Sequence, residues 1–295
     1  MTQDRWEASQ APLNDCGPGR GHPHGRELRV AARRTLAAVA ITVGLGAACG
    51  DGPPARPELL ETARDLVDRP AGTFEDETRL VMLLDSLIAE AGRDAEASAE
   101  LSLLRLRAIE RVIADSAARA HNPYSNLTDR PVAPEPVRAW LDAHSTEVAY
   151  SEPAGEWLVP ADVFWRLHDR YRRTAYSDEI AWAAANAGLA GECEGFAGCY
   201  VDALLRTHGH YLETHPDGAY TGEALRHVTT LFEEIGEAEP GRAICGDGRE
   251  TEGVTTDQLQ RIRRTLERLP ATAGDGRAAA ERALAALEQR CDREA

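Results

Sequence analysis

The chain has 295 residues with 33 basic and 49 acidic side chains, a formal net charge of −16, and no lysine among its basic residues. That acidity opposes nucleic acid and anionic headgroups. The missing lysine excludes a Gly-Lys-Ser/Thr phosphate loop, a Schiff-base lysine and a Ser-Lys dyad. A hydrophobic fraction of 43% suffices for a packed core in one large or two modest domains.

Residues 1–28 are rich in Gly, Pro, His and polar side chains and have no apolar period. They read either as a long unstructured leader or as sequence upstream of a true start near Val30, and Cys16, His22 and His24 are expected to carry no function. Arg29, Arg33 and Arg34 then precede an uncharged, mostly apolar run from Thr35 to Ala48, which ends on Gly46-Ala47-Ala48 before Cys49. A positive start, a short apolar run and small residues at the cut form an export signal. The run is too short to cross a bilayer as a helix. The pattern resembles a bacterial lipoprotein signal, which implies that Cys49 becomes the acylated first residue of the mature chain. It departs from that pattern in having Gly46 three before the cysteine, where a branched apolar residue is usual; ordinary cleavage after Gly-Ala-Ala would cut the same bond. Residues 1–48 carry 6 arginines and 4 acids, so the remainder has 27 basic and 45 acidic side chains and a charge of −18.

Residues 49–57 form a Gly/Pro-containing tether. From 58 to 121 the spacing predicts a helical hairpin. Leu80, Leu83, Leu84, Leu87 and Ile88 share one helix face, Leu101, Leu104, Ala108 and Val112 share the next, and Gly92 breaks the two. The second helix is expected to run toward Ala120 and to stop at Asn122-Pro123. The charged faces of the hairpin read as solvated surface.

A Pro-rich passage, Asp129 to Pro136, leads into the repeat domain at 134–293. One small β-hairpin is expected near 147–159, from Glu147-Val148-Ala149-Tyr150 and Glu156-Trp157-Leu158-Val159 around a Pro/Gly turn. Four of the five tryptophans lie between 140 and 182, a concentration that reads as a domain core or a ligand groove.

Residues Tyr171 to Ala181 align without gaps on His215 to Leu225 at an offset of 44. Each copy follows an amphipathic helix, turns tightly and enters another helix, with Ser177 or Thr221 expected as the N-terminal cap. Over about 161–236 this resembles the helix-turn-helix units of tetratricopeptide-like repeats, although the spacing exceeds that family's 34 residues. The resemblance implies an all-α fold of helical hairpins stacked as an array. Its groove, where partners would bind, is expected to carry Trp165, Tyr171, Tyr176, Trp182, Tyr211 and Tyr220.

Four cysteines remain after Cys49. In an oxidising compartment an even count favours disulfides. The Gly-rich segment between Cys193 and Cys199 can bend back on itself, which pairs those two and leaves Cys245 with Cys291. The first bridge is expected to staple an insertion that accounts for the long repeat. The second should tie the last helix, where Ala280, Leu284, Leu287 and Cys291 share a face, to the loop before it. Helices are expected at Thr256 to Leu269 and about Gly276 to Gln289.

The search for chemistry yields little. His-Glu-x-x-His, Gly-x-Ser-x-Gly, Gly-x-Gly-x-x-Gly and calcium-loop patterns are missing from the sequence. His208, His210, His215 and His227 are expected to be structural, with no metal and no cofactor. The paired acids Glu192/Glu194 and Glu152/Glu156 read as products of composition. These readings converge on a non-catalytic lipoprotein on the periplasmic side of a bacterial envelope. It would hold other envelope proteins in its helical groove and touch the membrane only through its lipid. The alternatives are a periplasmic hydrolase with a cleft in the 150–182 region, or a lipoprotein that captures a small ligand or cation.

Overall fold

Capping and turn chemistry divides the chain into helices much as the spacing predicts. The structure, a computed structural model, describes residues 57–114, 134–152, 154–189, 193, 195–237, 244–246 and 253–294. The export signal, Cys49, most of the tether, the expected helix end at 115–121 and the start of the Pro-rich passage lie outside the described residues. Those described belong to one compact unit. The helices are α1 (Pro57–Asp68), α2 (Phe74–Ala91), α3 (Ala95–Ile113), α4 (Glu135–Ala143), α5 (Ala161–Tyr171), α6 (Ser177–Asn186), α7 (Ala197–Arg206), α8 (His208–Thr214), α9 (Thr221–Glu237), α10 (Thr256–Arg268) and α11 (Gly274–Glu294). The strands β1 (Ala149–Ser151) and β2 (Glu156–Leu158) form one antiparallel pair. Among the described residues the fold is therefore all-α with a single small β-hairpin. No helix among the described residues is long and apolar enough to cross a membrane.

Thr73 and Asp76 form a capping box at the start of α2, and Gly92, at φ 57°, ends it in a conformation that favours glycine. Asp94 then caps α3 by accepting from the Ala97 N–H at 3.1 Å. The predicted face of α3 is buried, as are Leu80, Leu84 and Leu87 of α2, with Leu83 and Ile88 half-buried; α3 is packed on nearly every side, because α1, α2 and α5 all lie against it. This corrects the reading of the hairpin's charges as solvated. Glu77 and Glu100 are 1% and 5% exposed. Glu77 accepts from Arg111 at 2.8 Å, and Glu100 accepts from Arg64 and, at 2.5 Å, from the Tyr176 hydroxyl. Both acids join elements distant in sequence, which periodicity within one helix does not reveal.

The β-hairpin is shorter than expected. Glu147 and Val148 donate back to the His144 carbonyl and so finish the turn after α4. Pairing runs Ala149 to Leu158, Tyr150 to Trp157 and Ser151 to Glu156. Helix α4 begins within the Pro-rich passage, with Pro136 in the first turn, where its missing N–H costs nothing.

Hairpins α2–α3, α5–α6 and α8–α9 stack so that α3 packs on α5 and α6 packs on α8, while α9 packs on α11 and α10 packs on α11, α8 and α7. Two apolar cores result, and α6 serves both. Its Ile180 and Ala184 face the first core, and its Ala181 and Ala185 face the second. Both predicted disulfides are present, Cys193–Cys199 and Cys245–Cys291, with Cα atoms 5.2 and 5.3 Å apart. The insertion that lengthens the repeat is not only a loop. Cys199 lies in the first turn of α7, a helix between α6 and α8.

Consecutive hairpins are fastened by carboxylates at helix starts. Glu96, second residue of α3, accepts from the backbone N–H of Ala175 at 2.9 Å. Asp178, second residue of α6, accepts from Ala219 at 2.8 Å. Ala175 and Ala219 are equivalent in the 44-residue repeat. The other Asp178 oxygen accepts from the buried Tyr211 hydroxyl at 2.5 Å, and that hydroxyl accepts from the Tyr220 N–H at 3.1 Å. Gly218 permits this approach, since a Cβ there would lie 2.4 Å from both Asp178 and the Tyr211 oxygen. Ser177 and Thr221 are the first residues of their helices, not the caps. The residue before Ser177, Tyr176, is already helix-like in conformation, and Thr221 donates from its side chain to the His215 carbonyl at 3.0 Å. The array's next equivalent position is Gly222, and the α10–α11 hairpin is secured instead by packing on α9 and by Cys245–Cys291.

The Asp178→Ala substitution leaves a buried hydroxyl and a turn N–H without their acceptor, so it should cost about 2–4 kcal/mol. A lowered urea midpoint with an unchanged slope will show it; an unaltered midpoint would refute the fastening role.

Candidate functional site

Trp165 sits on the face of α5 turned toward α7, α8 and α10, beside a cavity whose volume is about 510 Å³. Pro160, Leu189 and Leu205 supply apolar wall, and Asp162, Arg206, His210 and Arg261 supply polar groups. The Trp165 indole N–H donates to the Arg206 carbonyl at 3.1 Å, which fixes the ring. The His210 imidazole lies over it at 4.2 Å between centroids. Arg261 grips Glu213 through two hydrogen bonds of 3.0 Å, and Thr265 adds another at 3.2 Å. Burial pushes the Glu213 carboxyl up, but the Arg261 guanidinium outweighs it and holds the group below the usual carboxylate range. The same pairing raises Arg261, so it is a fixed cation. A volume of this size, with mixed apolar and polar walls, suits a small ligand or an inserted side chain of a partner.

A run of rings leads inward from Trp165. His168, in edge contact at 5.5 Å, places its Nε2 2.9 Å from Nε2 of His215. Nδ1 of His215 lies 3.7 Å from Asp178, and Ser177 Oγ lies 3.5 Å from its Nε2. These three side chains look like a nucleophile, a base and an orienting acid. They are not assembled for attack on a substrate. Ser177 is buried, the His215 nitrogen it would use is engaged by His168, and neither Ser177 nor His215 lines the cavity. Burial lowers both His168 and His215 below the ordinary imidazole range, and it raises the Tyr211 hydroxyl, with the Asp178 bond acting in the same direction.

A second pair of histidines meets beside Trp182. His208 and His227 stack at 4.0 Å, and Trp182 approaches both. Burial, and then the nearby His227, lower His208 to about 4. Among the described residues no group of three or more His, Cys, Asp or Glu side chains could hold a metal.

The six residues expected to line one groove do not come together in one place. Trp165 lines the cavity. Trp182 and Tyr220 stack on each other at 4.9 Å, Tyr176 bonds to Glu100, and Tyr171 packs against the first core. Tyr211 is 0% exposed, which removes it from any groove, because its hydroxyl is consumed in joining two hairpins. Sequence reasoning missed His168, Arg206 and Arg261. His168 could have been found, since it shares a helix face with Ala161 and Phe164. Arg206 and Arg261 meet only because α10 folds back onto α7 and α8.

An imidazole near 6.5 in the unfolded chain and near 4 in the fold makes the unfolded state take up the proton first. The His208 contribution is therefore intact above the unfolded value and is lost as pH falls from about 6.5 toward about 4. The urea midpoint should drop over that window, and less steeply in His208→Phe. Parallel profiles would show that His208 does not couple to folding. No protein-family profile, no curated protein and no solved structure matches this chain.

Proposed function

We propose that the protein is a scaffold tethered to a bacterial envelope through an acylated Cys49, holding a segment of another envelope protein at the Trp165 cavity. The single observation that carries this reading is the cavity itself, ligand-sized and built where α5, α7 and α8 meet the returning helix α10. Its chemistry favours a segment that offers an apolar side chain to Trp165, Leu189 and Leu205 and a carboxylate to Arg206. Arg206 touches its own acidic neighbour, Asp202, only at 3.6 Å, and Arg261 holds positive charge nearby in an otherwise acidic chain. The tetratricopeptide-like character of 161–236 supports the same reading by analogy. Two disulfides suit an oxidising compartment such as the periplasm, in agreement with the export signal. Capture of a free small molecule is the second reading, favoured by the cavity's volume alone.

A photoreactive residue placed at Leu205 should crosslink in the native envelope to one discrete polypeptide, and one placed at the exposed Met82 should not. Trp165→Ala should abolish the adduct with helicity unchanged. Equal labelling from both sites, or none from Leu205, would overturn the scaffold reading. Labelled fatty acid should enter the wild-type protein and not Cys49→Ser; incorporation into both, or into neither, would remove the anchor.

A further inference from the structure

The His168–His215 contact joins the α5–α6 hairpin to the turn that opens α9, and it uses only one proton. Two imidazole Nε2 atoms 2.9 Å apart cannot both carry hydrogen, nor can both be bare, without repulsion. The surroundings decide which is which. Asp178 Oδ1, 3.7 Å from His215 Nδ1 and with its side chain 27% exposed against 82% for Asp169, is the less screened carboxylate and favours hydrogen on that nitrogen, which leaves the His215 Nε2 as acceptor and the His168 Nε2–H as donor. His168 Nδ1 is then a bare lone pair. It is buried without a hydrogen-bond partner, and the nearest carboxylate is Asp169 at 3.8 Å.

We infer that this pair is a two-step acid latch between consecutive hairpins. The first proton enters at His168 Nδ1, facing Asp169, and leaves the bridge intact. The second, at His215 Nε2, removes the acceptor and sets two N–H groups against each other, so the bridge must open. Ser177 Oγ, 3.5 Å from that nitrogen, is the acceptor to which His215 turns. The charged and titratable groups around the pair come from every element packed on it. Asp169 lies on α5, Asp178 on α6, His210 and Tyr211 on α8, and Asp217 in the turn itself. The three carboxylates favour protonation, whereas His210 and the burial of His168 oppose it. Burial is the larger influence on both rings, so both steps fall below the ordinary imidazole range. The two protons belong to the pair, since each site's affinity depends on the other's state. The latch does not depend on what occupies the Trp165 cavity.

The test is imidazole nitrogen NMR on the full chain with its disulfides intact, titrated from about pH 8 to about pH 4. A nitrogen–nitrogen coupling across the His168–His215 hydrogen bond should be present at neutral pH and survive the first step, in which the His168 Nδ1 shift moves. It should vanish at the second. Amide protection at 172–176, 215 and 217–220, taken relative to the intrinsic rate at each pH, should fall only in that second step. His168→Gln can donate one hydrogen bond without titrating, so it should hold the turn amides protected through the same range. Three results would overturn the inference: the same acid-induced exchange in His168→Gln, survival of the coupling with both rings protonated, or no coupling at neutral pH. A rise in wild-type melting temperature on adding zinc ion alone, lost in His168→Gln, would make the pair a metal site instead.

Discussion

A turn is fixed against the neighbouring hairpin when its backbone N–H groups find their acceptors on that hairpin. In this protein those acceptors are carboxylates in the first turn of the preceding hairpin's second helix, Glu96 for Ala175 and Asp178 for Ala219. A negative charge there also meets the positive end of its own helix, so each carboxylate stabilises the helix it belongs to and the turn it touches. This sets the register between hairpins. Once Asp178 reaches Ala219 and Tyr211, Trp182 lies on Tyr220, and α6 is shared between two cores.

The same economy explains the use of arginine. Arg64, Arg105, Arg107, Arg111 and Arg261 bridge elements far apart in sequence, pairing with Glu100, Glu147, Glu179, Glu77 and Glu213. A planar guanidinium can contact a carboxylate and several carbonyls together, as Arg111 does with Glu77 and the carbonyls of Leu66, Val67 and Pro70. Five of the arginines are therefore internal cross-links. Arg206, whose contact with Asp202 stays within its own helix, also lines the cavity.

What could be read from the sequence was local. The faces of α2 and α3, the Gly92 break, the β-hairpin turn and the 44-residue repeat depend on neighbours within a few positions, and the disulfide pairing depends on one flexible loop. Helix α1 was missed beside the tether, although Leu59, Leu60, Ala63 and Val67 have the right spacing. Ser177 and Thr221 have the type that suits a cap, but Tyr176 before Ser177 already has helical dihedrals, and the Thr221 hydroxyl donates backward to the His215 carbonyl. The cavity was illegible for a different reason. Its walls come from α5, the segment after α6, α7, α8 and α10, and only the tertiary return of α10 brings Arg261 to Trp165. Charged residues on α3 looked solvated because a helical wheel does not show that a helix is covered on several sides.

The central claim is that carboxylates at helix starts fasten the turns between hairpins. Native-state hydrogen exchange at single-amide resolution tests it most directly. The amides of Ala175 and Ala219 should exchange as slowly as those in the middle of α6, opening only when the hairpins separate. If they exchange as fast as the amides of an exposed turn, while α6 stays protected, the carboxylates do not hold the array together.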